Sequence, residues 1–71
     1  FVIIRVQPQK RAQVYENLNE IPHLQKAYRV TGEIDVISIV NQQSLDEFLR
    51  ELSKIDGIIS TSAHIIISQI K

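Results

Sequence analysis

The residues with most chemistry to offer sit in one tract, Ala27-Tyr28-Arg29-Val30-Thr31-Gly32-Glu33-Ile34-Asp35-Val36-Ile37-Ser38-Ile39-Val40. It reads as a strand, a tight turn and a second strand, with one carboxylate, Asp35, at the edge of an apolar stretch. Glycine at the first central position of a two-residue turn suits a type II′ hairpin, which needs φ > 0 there. With Gly32-Glu33 as the turn, Thr31 pairs with Ile34 and Val30 with Asp35. Asp35 then shares a face with Val30, Tyr28, Ile37 and Ile39. A carboxylate in such company needs hydrogen-bond donors, because an unpaired buried charge is strongly disfavoured. It is a candidate ligand contact.

Other reactive groups are few. Ser60, Thr61 and Ser62 followed by His64 offer a nucleophile and a base, but no acid is spaced to orient the histidine, and strand alternation splits the segment between two faces. His23 follows Pro22 in a loop and carries no signal. Cysteine is absent, which removes disulfides and thiolate metal sites together. His23 and His64 fall in different elements without ligand spacing, so no metal and no cofactor is expected.

Eight basic and eight acidic residues cancel to zero formal charge. Arg5, Lys10, Arg11, Lys26, Arg29, Arg50, Lys54 and Lys71 are scattered, whereas a nucleic-acid binder shows a basic stripe. No direct nucleic-acid contact is expected. No apolar run approaches the roughly 20 residues of a membrane span, and no signal peptide is visible. The expected location is the cytoplasm.

The elements that position the tract follow from periodicity. Residues 1–7 are β-branched and mostly apolar, a strand that Pro8 ends. Across residues 9–20 and just beyond, Val14, Leu18 and Ile21 recur at steps of four and three, with Ala12 and Tyr15 beside them, one face of a helix. Ile21-Pro22 stops it. Residues 23–31 form the second strand and 34–41 the third. Ser44-Leu45-Asp46-Glu47 reads as a capping box. Behind it Leu45, Phe48, Leu49, Leu52 and Ile55 form a second helical stripe, which Gly57 closes. Residues 58–70 complete a fourth strand.

The order β-α-β-β-α-β in 71 residues predicts one domain over residues 1–71. It is an α+β, ferredoxin-like plait: a four-stranded antiparallel sheet with both helices on one face. A sheet wet on one side alternates apolar and polar residues. Phe1-Val2-Ile3-Ile4 and Ile65-Ile66-Ile67 do not alternate. Both faces are expected to be dry, and two helices cover only one. A chain this short buries only about 60% of its unfolded surface, so a second copy packed sheet to sheet around a two-fold axis is the expected support, a dimeric αβ-sandwich.

The hairpin Tyr28-Arg29-Val30-Thr31-Gly32-Glu33-Ile34-Asp35, with Gly57-Ile58-Ile59-Ser60-Thr61 opening an Ile-rich last strand, resembles the RAM domain, the effector-sensing half of the Lrp/AsnC transcription regulators. The resemblance covers essentially the whole chain. Members usually carry an N-terminal helix-turn-helix, and the first strand here begins at residue 1, so the chain is similar to stand-alone RAM proteins. The resemblance implies homodimers that associate into octameric or decameric rings. It implies an amino acid or related small metabolite bound between dimers, and assembly with full-length Lrp/AsnC relatives. It places the pocket at Thr31, Gly32, Glu33 and Asp35, with Thr61 supplied across the interface. Gly32 suits close approach of the backbone to a ligand carboxylate, and Asp35 suits an ammonium. One departure stands out: the second hydroxyl of the family's T-x-T pair falls on Ala63.

Three other readings compete. A dimeric α+β barrel enzyme shares the topology but needs an open cavity with a base, and the packed Ile, Leu and Val leave little room for one. An ACT-like regulatory subunit of an enzyme usually has a glycine-rich turn after the first strand, where this chain has Gln7-Pro8-Gln9. A purely structural oligomerisation module would need no ligand at all.

Overall fold

The computed structural model describes residues 1–32 and 35–71. Four strands and two helices follow in the expected order. These are β1 (Val2–Val6), α1 (Arg11–Asn19), β2 (Leu24–Arg29), β3 (Val36–Val40), α2 (Leu45–Leu52) and β4 (Ile58–Ala63). The sheet runs β2-β3-β1-β4 and every neighbouring pair is antiparallel, the ferredoxin-like arrangement.

Strand alternation sorts the sheet into two faces. Val2, Ile4 and Val6 of β1 and Val36 and Val40 of β3 are buried together with Val14 and Leu18 of α1 and Phe48 and Leu52 of α2. Phe48 is 0% exposed and is the largest of the fully buried side chains among the described residues. Ser38 is the one polar residue among those buried residues, and its hydroxyl donates to the Val2 carbonyl at 2.9 Å. The opposite face carries Phe1, Ile3, Ile37 and Ile39, half-buried, and Tyr28, 52% exposed. None of the described helices covers it.

Gly57 fixes how α1, α2 and β4 meet. It does not close α2 as expected, because that helix ends at Leu52 with Ser53 as its C-cap. Its φ of +104°, a conformation that favours glycine, turns the chain into β4, and its carbonyl accepts from the Gln7 N–H at 2.8 Å. A Cβ placed there would lie 2.8 Å from Lys10 Cβ and 2.9 Å from Val14 Cγ2. Glycine is the residue that lets α1 sit this close. Lys10 and Asp56 clasp the same corner with an ion pair.

Several expectations change. The first helix is preceded by a 3-10 turn over Pro8–Lys10 and starts at Arg11 rather than Gln9. Ala12, placed on its apolar face, is exposed. The capping box does not form. A 3-10 turn over Gln42–Ser44 leaves Ser44 at φ −101°, ψ 6°, without a side-chain cap bond, and an N-cap needs an extended backbone to aim its hydroxyl. Glu47 instead meets His23, Nε2 to Oε2 2.7 Å, tying the start of β2 to α2. The fourth strand ends at Ala63, not residue 70. One further backbone pair, His64 with Phe1, extends the ladder, after which no strand lies alongside. Ile67 and Ile70 are 94% and 100% exposed.

Candidate functional site

The hairpin register is the expected one at its base. Arg29 pairs with Val36, and the Val30 N–H donates to the Asp35 carbonyl at 3.0 Å. Gly32 has φ +93°, the sign that the predicted turn requires of it. Glu33, and the pairing of Thr31 with Ile34, lie outside the described residues.

Asp35 finds its donors within its own chain. Oδ2 accepts from the Val6 N–H at 2.8 Å and Oδ1 from Arg11 Nη2 at 3.2 Å. The ladder between β1 and β3 pairs Ile4 with Val36; one step further on, a side-chain carboxylate takes the amide that a strand carbonyl would otherwise receive. The Asp35 side chain is 13% exposed. Burial and two charge-assisted bonds hold it in one place.

Around this carboxylate opens a cleft of about 410 Å³ lined by Arg11, Tyr15, Arg29, Val30, Thr31, Gly32 and Asp35. Among the described residues beyond its chain neighbours, nothing lies within 4 Å of where a Gly32 Cβ would be, which leaves room there for a ligand. The structure thus joins Thr31, Gly32 and Asp35, and adds Arg11, Tyr15 and Arg29, which the sequence did not single out. Arg11 and Tyr15 come from α1, and Arg11 lies 24 positions before Asp35 in sequence. Arg29 stands in the tract itself, two residues before Thr31, and its adjacency to the turn was the available signal.

Thr61 does not join them. It lies in β4, opposite Ile4, with β1 between its strand and β3. Two strand spacings are about 10 Å. Thr61 is exposed at the outer edge and borders a different groove, with Leu49 and Leu52. Ala63 stands two residues on, at the end of the same strand.

Ser62 and His64 share a face after all, being two residues apart. Ser62 Oγ and His64 Nε2 are 2.8 Å apart and the imidazole stacks on Phe1, ring centres 5.1 Å apart. No carboxylate pairs with His64 among the described residues. No group of three or more metal-ligating side chains occurs among the described residues either, and none of their helices is long and apolar enough to cross a membrane.

The family model for the Lrp/AsnC ligand binding domain matches residues 1–71. The chain belongs to that family. An uncharacterised HTH-type transcriptional regulator of Pyrococcus abyssi is 36% identical over 96% of this chain and 46% of its own length. The HTH-type transcriptional regulator FL11 of the same organism is 29% identical over 94% of this chain and 46% of its length. This Lrp/AsnC ligand-binding domain therefore spans about half the length of the curated relatives it matches. Among solved structures, FFRP-DM1 superposes with a TM-score of 0.78 at 33% identity, covering 93% of both chains. A hypothetical protein of Pyrococcus horikoshii gives 0.75 at 32% identity, over 97% of this chain and 88% of that one. The family is one of regulatory effector-binding modules in transcription regulators, not of enzymes.

Proposed function

We propose that this Lrp/AsnC domain binds an amino acid or a related small metabolite in the cleft at Thr31, Gly32, Glu33 and Asp35. A neighbouring copy supplies Thr61 where two dimers meet, and occupancy shifts the assembly equilibrium. The observation that carries the reading is the open cleft over Gly32, with a fixed carboxylate at its base. The ligand carboxylate approaches the Gly32 backbone, and its ammonium takes the remaining lone pairs of Asp35. The separation of Thr61 from this cleft within one chain supports a site built between copies. The uncovered sheet face supports the homodimer that precedes it. Octamers or decamers, a cytoplasmic location, and action on transcription through full-length Lrp/AsnC relatives belong to the same proposal.

Titration calorimetry with the standard amino acids, read beside light scattering, tests it. Heat from at least one amino acid, with a change in assembly mass, is the expected result. Silence from all of them, with no change of mass, defeats the sensing role.

One specific observation favours a second reading. Both Asp35 oxygens already have partners in the same chain, as a purely structural oligomerisation module would have it. On that reading Asp35→Ala alters assembly stability and no amino acid binds at all.

A further inference from the structure

Beside the Gly32–Asp35 cleft stands a pair to which effector binding by the turn alone gives no task. The Arg29 guanidinium carbon lies over the Tyr15 ring, 5.0 Å from its centre. A guanidinium held on an aromatic face keeps its in-plane N–H groups free, the geometry that receives a carboxylate through two bonds at once. Arg29 forms no ion pair among the described residues, whereas the other cation of the cleft, Arg11, is engaged by Asp35. Within the described lining one charge pair is thus satisfied internally and one cation remains.

Position adds to chemistry. Tyr15 and Arg29 line both the cleft over Gly32 and a groove of about 600 Å³ that runs between α1 and β2. They stand where the two meet. A ligand anchored by its α-carboxylate and α-ammonium at Gly32 and Asp35 would share its cleft with this pair. Building on the effector reading above, we infer that Arg29, steadied by Tyr15, is the specificity residue of the cleft and selects an amino acid whose side chain ends in a carboxylate. A basic side chain meets Arg11 and Arg29 as like charges. An aliphatic one finds Val30 alone among the described aliphatic residues of the cleft lining and must reach into the adjoining groove for Leu18, Leu24 and Val36. An amide presents a single acceptor oxygen and no charge.

The test is calorimetry with aspartate, glutamate, glutamine, leucine and lysine on the wild-type domain and on Arg29→Gln and Arg29→Lys. One of the acidic amino acids is expected to bind about tenfold to a hundredfold more tightly than glutamine, the range of a charge-assisted pair. Arg29→Gln is expected to erase that ratio while glutamine still binds, and Arg29→Lys to retain part of it, since lysine keeps the charge without the fork. Arg29 is exposed at an edge strand, so circular dichroism of both variants should match the wild type. A preference for glutamine, leucine or lysine overturns the inference, as does an acidic preference that survives Arg29→Gln; either leaves effector binding standing. Absence of heat from every amino acid overturns the effector reading itself and this inference with it.

Discussion

The Val6 backbone N–H donates to Asp35 Oδ2 at 2.8 Å, so one carboxylate closes the end of the β1–β3 ladder across 29 positions of sequence. Asp35 is therefore a structural residue first, whatever it does for a ligand. Its removal leaves a part-buried amide unpaired, which costs about 1–3 kcal/mol.

Asp35→Ala is accordingly expected to lower the midpoint of thermal unfolding by about 4–8 °C for each kcal/mol lost. Asp35→Asn keeps an acceptor for Val6 and should lose less. Under the effector reading both variants also lose amino-acid affinity, Asp35→Asn included, because the charge that meets the ammonium has gone. Calorimetry beside thermal melts separates the two effects.

The two glycines should respond differently to alanine. Gly32 has φ +93° and no described residue beyond its chain neighbours within 4 Å of where a Cβ would go, so Gly32→Ala is expected to meet mainly backbone strain, about 1–2 kcal/mol. Gly57 has φ +104° and a Cβ there runs into Lys10 and Val14. Gly57→Ala adds overpacking of about 1–3 kcal/mol to the same strain. Urea titrations of the two variants should rank them in that order, and equal losses would contradict the packing at Gly57.

Phe48 is fully buried under the sheet. Phe48→Ala should cost about 3–5 kcal/mol, a large part of what a domain of this size has to lose at roughly 0.05–0.15 kcal/mol per residue. The variant is expected to be largely unfolded at 37 °C by circular dichroism, with ligand binding lost as a consequence.

Much of this was legible in the residues, and the exceptions have a common cause. Val14, Leu18, Phe48 and Leu52 show their burial in their spacing because a helix packs one stripe. Gly32 with Asp35 marks the hairpin register, whereas Gly57, expected to close the second helix, lies beyond its end at Leu52 and turns the chain into β4 instead. The fate of Glu47 was not legible: a local motif offered it to Ser44, and His23, distant in sequence, took it. The end of β4 was misplaced for a related reason, since an Ile-rich segment advertises a strand whether or not a neighbour lies beside it. Arg11, the partner of Asp35, comes from α1 and leaves no pattern near the turn. Local rules reached the elements; contacts chosen by the tertiary fold escaped them.

The open sheet face offers its own check. Ile37 is half-buried there and pairs with Ile3 of β1. Ile37→Glu places a charge at the centre of the surface that a second copy is proposed to cover, while the helix-side core is untouched. Assembly should weaken strongly in sedimentation, with helical content retained.

The most direct measurement is sedimentation equilibrium of the wild-type domain at micromolar concentration. A dimer or a multiple of dimers is the predicted species, because Ile3, Ile37 and Ile39 form an apolar face that none of the described helices covers. A well-folded single chain at that concentration would contradict the account, and the site shared between copies would fall with it.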